Sequence, residues 1–262
     1  MALFKSGNPA LSEKRFRDTI LDEIVSPENA MTVRGTLNKF GFLFLMTLGS
    51  AYFSWNEAVG NANSLPLVLI GLFGGLGVAI FITFKKEWSP YLAPLYAILE
   101  GLFIGAISAY FEYMATAQGG YAGGYSGIVF QAVGLTFSVV AAMYLLYKFN
   151  IIRATKKFKA IIFIATAGIG IFYLVCMVMS LGFHATLPGF LFQGTALGIG
   201  FSVFVVALAA LNLILDFDRI EQGAQMGAPK YMEWYSAFGL LVTIVWLYLE
   251  ILRLLSKLSS RS

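Results

Sequence analysis

The sequence predicts an all-α integral membrane protein with seven transmembrane helices. Hydrophobic residues make up 58% of the chain and charged residues only 12%, whereas a soluble domain carries about 25% charged residues. Seven apolar segments each have close to the ~20 residues that cross about 30 Å of hydrocarbon. Lysine and arginine are confined to alternate connections between these segments. Composition, segment length and charge distribution therefore agree on this fold class.

A polar segment of residues 1–39 comes first and lacks the apolar core of a cleavable signal peptide. Its mixed charges, followed by residues 26–29 (SPEN), fit an amphipathic cytoplasmic helix and a turn, or a disordered tail. Residues 40–258 form the predicted seven-helix membrane domain, and residues 259–262 form a C-terminal tail. The predicted spans are residues 40–58, 65–84, 91–113, 128–147, 160–181, 189–215 and 238–255.

Basic residues set the predicted orientation. Lysine or arginine occurs in the N-terminal segment and in the second, fourth and sixth connections, and the first, third and fifth contain none. By the positive-inside rule the N-terminus is cytoplasmic. The C-terminal end does not fit this rule. Seven spans place it outside, but it carries three basic residues, Arg253, Lys257 and Arg261. Either the last segment is a re-entrant or centrally held helix, or the earlier helices fix the orientation.

The supply of reactive residues excludes most catalytic chemistry. The single histidine, His184, lies in a short connection, so zinc-protease motifs, paired haem ligands and a buried Ser–His pair are absent from the sequence. No phosphate-loop or dinucleotide glycine motif occurs, and neither enzyme activity nor a cofactor is expected. The net charge of +4 is attributed to cytoplasmic anchoring of helix ends, not to a nucleic-acid surface.

Four carboxylates lie inside or at the ends of the apolar segments, namely Glu100, Asp216, Asp218 and Glu250. An ionised side chain at the bilayer centre costs about 2.5–3.5 kcal/mol, so such residues usually have a function. Glu100 is near the middle of the third segment. Asp216 and Asp218 point about 200° apart on a helix, so at most one of them faces a given partner helix squarely. Glu250 can be neutralised by protonation or by Arg253 at spacing i,i+3.

Each acid also has a purely structural interpretation. Glu100 fits a neutral carboxylic acid hydrogen-bonded between helices, and the two aspartates, beside Arg219, fit the solvated end of a helix. Alternatively, two carboxylates that meet in a low dielectric cannot both ionise cheaply, so the pair shares a proton and responds to pH. The same oxygens attract Ca²⁺. The residues therefore indicate a pathway for cations or protons that acids control.

Two motifs in the last third of the chain resemble the Bax inhibitor family, in a divergent bacterial branch. They are LDFDRI (residues 215–220) and LYLEILRLL (residues 247–255). In that family the sixth helix ends in an Asp-Thr-Gln-like motif, and the seventh reads Leu-Tyr-Leu-Asp followed by apolar residues. The resemblance implies a central seventh helix surrounded by the other six. It also implies a pH-sensitive Ca²⁺ leak in which acids of the sixth and seventh helices pair.

By position, Asp218 matches the sixth-helix aspartate and Glu250 the seventh-helix acid, so the resemblance implies a pH sensor and a Ca²⁺ site at these two residues. Lys85 or Lys86 stands in for a basic residue that the family places near the switch. The sequence departs from the family pattern in three ways. Glu250 replaces an aspartate, residues 217–220 (FDRI) replace a polar tripeptide, and Asp216 is an additional acid.

The predicted function is a pH-sensitive leak for Ca²⁺ or another cation in a bacterial inner membrane, controlled by protonation of an Asp218/Glu250 pair. Its expected partners are the lipid bilayer, Ca²⁺ and H⁺. Two alternatives stay open: a regulatory protein that binds a membrane protease or another membrane protein, and a proton-coupled transporter of small solutes.

Overall fold

The computed structural model describes residues 29–60, 65–119, 127–183, 188–191 and 193–260. Within these residues the chain is helical, without strands, and forms seven long helices and two short 3₁₀ helices, Lys86–Trp88 and Gly189–Leu191. The prediction of an all-α fold with seven helices is confirmed. The long helices are α1 Val33–Gly60, α2 Leu65–Phe84, α3 Ser89–Gly119, α4 Ile128–Lys148, α5 Lys156–Phe183, α6 Ala196–Gln225 and α7 Met232–Ser259.

Six of the helices, α2 to α7, are long and apolar enough to cross a membrane. The first helix is not among those six, and it begins at Val33, inside the segment that was assigned to the N-terminal region. The predicted N-terminal amphipathic helix lies outside the described residues. The chain therefore has the length and apolarity of an integral membrane protein over most of its described part.

The largest difference from the predicted spans is at α6, which was expected over residues 189–215. Gly189–Leu191 is a separate 3₁₀ turn, and α6 begins only after Thr195, whose Oγ1 accepts a hydrogen bond from Gly198 N at 3.1 Å. Threonine is a favoured residue at this helix-capping position because it satisfies an amide that the helix cannot pair. At its other end α6 continues to Gln225, so both aspartates lie within the helix.

Helices α1 and α3 make a close contact through small residues. An added Cβ at Gly101 would lie 1.9 Å from Ser50 Oγ, and one at Gly105 would lie 2.1 Å from Ala51 O. Only glycine permits this approach of the two backbones, which increases dispersion contact between the helices. Gly101 and Gly105, four residues apart in α3, therefore serve the packing of α3 against α1.

Helix α7 packs against α1, α3, α4 and α6. Its most buried apolar side chains include Leu241, Leu247 and Leu252, each with 0% of its surface exposed. Its contact with α5 includes the side chain of Tyr173, which bonds to two residues of α7. That the other six helices surround α7 stays a prediction.

Candidate functional site

Two polar contacts fix the register of the antiparallel helices α6 and α7. Thr243 Oγ1 donates to Asp216 Oδ2 at 2.5 Å, and Lys257 Nζ donates to Ser202 Oγ at 2.9 Å. In antiparallel helices, residues that lie opposite each other have numbers with a constant sum. The two pairs have the same sum, so the same register holds between them. This register determines which acids can meet.

Asp216 is the acid that α6 presents to α7. Its side chain is only 13% exposed, and besides Thr243 it has Arg219, whose Nη1 lies 3.6 Å from Oδ1. The Arg219 side chain is 68% exposed, so solvent weakens this ion pair. The hydroxyl of Thr243 is therefore the close partner of this carboxylate.

Asp218 faces the opposite side of α6, toward α5. Its Oδ2 forms an ion pair with Lys159 and accepts a hydrogen bond from Gln222 Nε2 at 2.8 Å. The two aspartates diverge as the helical geometry predicts, because Asp216 bonds to Thr243 on α7 and Asp218 has its cationic partner, Lys159, on α5.

Glu250 has its cation on its own helix. Arg253 Nη1 donates to both carboxylate oxygens, at 2.8 and 2.9 Å, and Tyr173 Oη donates to Glu250 Oε1 at 3.1 Å. The guanidinium of Arg253 also lies over the Tyr173 ring, 5.3 Å from its centroid. The glutamate side chain is 3% exposed, so its charge is balanced by a partner instead of by water.

The expected pair of Asp218 and Glu250 is not formed. On the register of α6 and α7, Glu250 lies opposite Ala209, nine residues along α6 from Asp218, which is about 13 Å at about 1.5 Å per residue. Each acid also has its own cation, on α5 and on α7 respectively. The Ca²⁺ site predicted at these two residues is likewise not assembled, and no group of three or more His, Cys, Asp or Glu that could hold a metal occurs among the described residues.

The remaining predicted site residues lie elsewhere. Glu100 bonds with Tyr96 on its own helix, and an added Cβ at Gly75 would lie 3.3 Å from Glu100 Oε2, so this carboxylate lies against α2. Lys86 Nζ lies over the ring of Tyr235, 5.2 Å from its centroid. Lys85 adjoins it and, across the described part of the chain, pairs with neither Asp218 nor Glu250.

Asp216 also lines a cavity of about 340 Å³ beside the connection between α6 and α7. The wall includes Arg219, Met226 and Met232, and it continues past Ser236 of α7. The polar side chains of Asp216, Arg219, Gln222 and Ser236 therefore line a space whose other walls are mainly apolar, and ligand sites commonly combine these two features. His184 lies outside the described residues.

A sequence model of the family described as Bax inhibitor 1 like matches residues 8–260. The chain belongs to this family. No curated protein and no solved structure matches the chain significantly. Membership of the Bax inhibitor 1 like family supports the conclusion that the chain is a membrane protein, and the six long apolar helices agree with it.

Sequence reasoning missed Glu233, a fully buried acid of this Bax inhibitor 1 like protein that has several bonds to its neighbours. Its carboxylate, 0% exposed, accepts hydrogen bonds from Thr32 N and Oγ1, both at 2.9 Å, and forms ion pairs with Lys39 and with Lys230, the latter at 3.2 Å. Close to this site, Met31 N donates to Ala228 O, which joins the segment before α1 to the connection between α6 and α7. In the sequence, the only local sign that Glu233 is paired was Lys230 at spacing i,i+3, and an acid in the first turn of a helix is normally solvated.

Lys257 was recorded in the sequence only as an anomalous C-terminal charge. The residue is 2% exposed, and its Nζ donates to Gly198 O at 3.1 Å and to Ser202 Oγ. Arg253 is held by Glu250 and Tyr173. Because both cations are bonded inside the helix bundle, they are not loop charges of the kind that the positive-inside rule counts.

Proposed function

We propose that this protein is a pH-sensitive leak for Ca²⁺ or another cation, and that Asp216, instead of an Asp218/Glu250 pair, is the acid that controls it. The observation that carries the proposal is the position of Asp216. It is a largely buried carboxylate at the contact of α6 and α7, bonded to Thr243 and open to a cavity of about 340 Å³. Carboxylate and hydroxyl oxygens are ligands that Ca²⁺ prefers.

Protonation of Asp216 removes its negative charge but lets the contact with Thr243 persist. When Asp216 is ionised, the hydroxyl of Thr243 donates to it. When Asp216 is protonated, its own O–H can donate to Thr243 Oγ1, and the hydroxyl of Thr243 can turn to Gly239 O at 3.2 Å. The helices can therefore stay together while the negative charge that attracts cations is lost. We expect cation flux to fall as the pH falls.

The other intramembrane acids have different roles in this proposal. Glu250 is balanced by Arg253, and Glu100 lies between α2 and α3, away from the contact of α6 and α7. We propose further that α7 is the central helix of the bundle in a bacterial inner membrane, with the N-terminus cytoplasmic. Its packing against four other helices and the basic residues of alternate connections support this arrangement.

The test is flux through purified protein in liposomes across a pH series. We expect Asp216→Asn to lower Ca²⁺ flux at pH 8 by about tenfold, since a fixed charge in a cleft raises the local cation concentration by at least that factor. The variant should also lose its response to acid. Asp218→Asn is the matched control, because the same chemical change two residues away faces α5, and it should keep the wild-type pH profile.

The possible results separate the candidate functions. Equal flux and equal pH response in wild type and Asp216→Asn would refute the role of Asp216. Saturable uptake of one small solute in place of a leak would favour a proton-coupled transporter. Absence of flux together with co-purification of a membrane protease would favour a regulatory protein.

A further inference from the structure

A second cavity, of about 410 Å³, lies between α3 and α7 near the C-terminal end of α7. It is separate from the Asp216 cavity and shares no lining residue with it. Its volume lies within the range of about 300–1,000 Å³ that is typical of small-molecule sites. Residues of α3, α7 and the 3₁₀ turn at Leu191 form its wall.

The wall of this cavity changes from apolar to polar along the helix axis. Helices α3 and α7 run parallel, as shown by Ser89 Oγ bonding to Tyr231 O at 3.0 Å and Ser108 Oγ lying 2.6 Å from Tyr248 Oη. Residues that come early in both helices therefore line one end of the cavity, and residues that come late line the other. The early lining residues include Phe103, Ile107 and Leu249, and the late ones on α7 are Arg253, Ser256, Lys257 and Ser260.

The polar end carries more positive than negative charge. Its described lining residues include two basic side chains, Arg253 and the buried Lys257, and no carboxylate, while Glu250, outside the lining, pairs with Arg253 at 2.8 Å. The hydrogen bonds of the Arg253 side chain to Glu250 and Tyr173 all use Nη1. A guanidinium has further N–H donors at Nε and Nη2, and it matches phosphate oxygens with two parallel bonds.

The cavity also reaches the exposed surface of the helix bundle. Tyr110, in its wall, is 53% exposed, and Ser260 at the end of α7 is exposed as well. Tyrosine is enriched at membrane interfaces, and arginine and lysine side chains bind phosphate groups by charge-assisted hydrogen bonds. A cavity with an apolar end and a cationic end suits a molecule that has a phosphate at one end and an alkyl chain at the other.

We propose that this cavity binds an anionic phospholipid, with its phosphate at Arg253, Lys257 and Ser256 and part of one acyl chain along Phe103 and Ile107. Ser256 can donate its hydroxyl to the phosphate, which Lys257 and Arg253 stabilise by charge. The excess positive charge selects a headgroup with a net negative charge over a zwitterionic one. This inference is independent of the proposed leak, because it concerns a different cavity at the other end of α7.

The test is native mass spectrometry of the full chain in detergent with dioctanoyl phosphatidylglycerol. The neutral comparison is dioctanoyl phosphatidylcholine, and inorganic phosphate is the competitor without a chain. We expect wild type to retain phosphatidylglycerol about tenfold more than phosphatidylcholine. Arg253→Gln should lower that retention about tenfold, whereas Arg34→Gln, an exposed arginine at the start of α1, should not change it.

A second variant keeps the test decisive if Arg253→Gln does not fold. Ile107→Trp fills the apolar part of the cavity from α3 and leaves both cations in place, and we expect it to abolish retention of phosphatidylglycerol. Equal retention of the two lipids, or equal retention by Ile107→Trp and wild type, would overturn the proposal. Displacement of phosphatidylglycerol by inorganic phosphate at equal concentration would assign the site to a free oxyanion, and would also overturn it.

Discussion

Gly35 on α1 is the position where the addition of one methyl group should be most informative. An added Cβ would lie 2.1 Å from Glu233 Oε1 and 2.6 Å from Oε2. Glu233 cannot simply turn aside, because Thr32, Lys39 and Lys230 all hold its carboxylate. Gly35→Ala should therefore force the carboxylate out of its site or push α1 away from α7.

The cost follows from the contacts that would be lost. Each hydrogen bond from Thr32 to the carboxylate contributes about 1.5–3 kcal/mol, because the acceptor is charged. The two ion pairs add at most about 1 kcal/mol, since Lys230 and Lys39 have 48% and 19% of their side chains exposed. The bond values are already net of hydration, and the helix propensity of alanine, about 1 kcal/mol over glycine, opposes the loss. At the lower value of about 1.5 kcal/mol per bond, the two bonds and the ion pairs together lose about 3–4 kcal/mol, so we expect a net destabilisation of about 2–3 kcal/mol.

Thermal unfolding in detergent measures this effect. At about 2–4 °C per kcal/mol for a chain of this size, Gly35→Ala should lower the midpoint by about 4–12 °C. Gly41→Ala is the control on the same helix, where an added Cβ meets no atom within 4 Å, and it should not lower the midpoint. On a Glu233→Ala background, Gly35→Ala should cost nothing. A midpoint for Gly35→Ala at or above that of Gly41→Ala would refute the reasoning.

Two further substitutions test single contacts. Glu112→Ala should speed hydrogen exchange at the Gly127 and Val129 amides about fivefold to thirtyfold, as a loss of about 1–2 kcal/mol predicts, because the carboxylate accepts from these amides at 2.6 and 3.2 Å. Glu112→Gln, which keeps an acceptor, should have a smaller effect, and equal effects would contradict the capping role. Lys159→Gln should cost at most about 1 kcal/mol in thermal unfolding, since the Asp218 pair is partly exposed, and the pH profile of flux should not move. A moved profile would make Asp218 the controlling acid again.

The sequence was sufficient to predict the number of long helices and the geometry within each one, because these depend on neighbours along the chain, but it misplaced both ends of α6. Helix α2 spans the predicted residues 65–84, since a polar connection ends the apolar run on each side. The opposite directions of Asp216 and Asp218 follow from helical spacing alone. The pairing of Glu250 with Arg253 likewise follows from spacing i,i+3.

Contacts between helices could not be obtained in this way. The bond of Asp216 to Thr243 and the ion pair of Asp218 with Lys159 depend on the register and rotation of α6 against two neighbours. The family resemblance led to an Asp218/Glu250 pair, but the register of α6 and α7 separates these residues. Glu233 was missed because its first partner, Thr32, is 201 residues away in the chain.

This distance along the chain has a consequence for biosynthesis. Helix α1 is the one long helix, among those that the structure describes, that is not apolar enough to count as a membrane span, and it leaves the ribosome first. The glutamate that accepts from Thr32 and neutralises Lys39 is translated only with α7. Until then the start of α1 lacks its acceptor and its counter-ion. Completion of the N-terminal end of the fold is therefore a late event in synthesis, and a nascent chain that stops before α7 leaves that end unanchored.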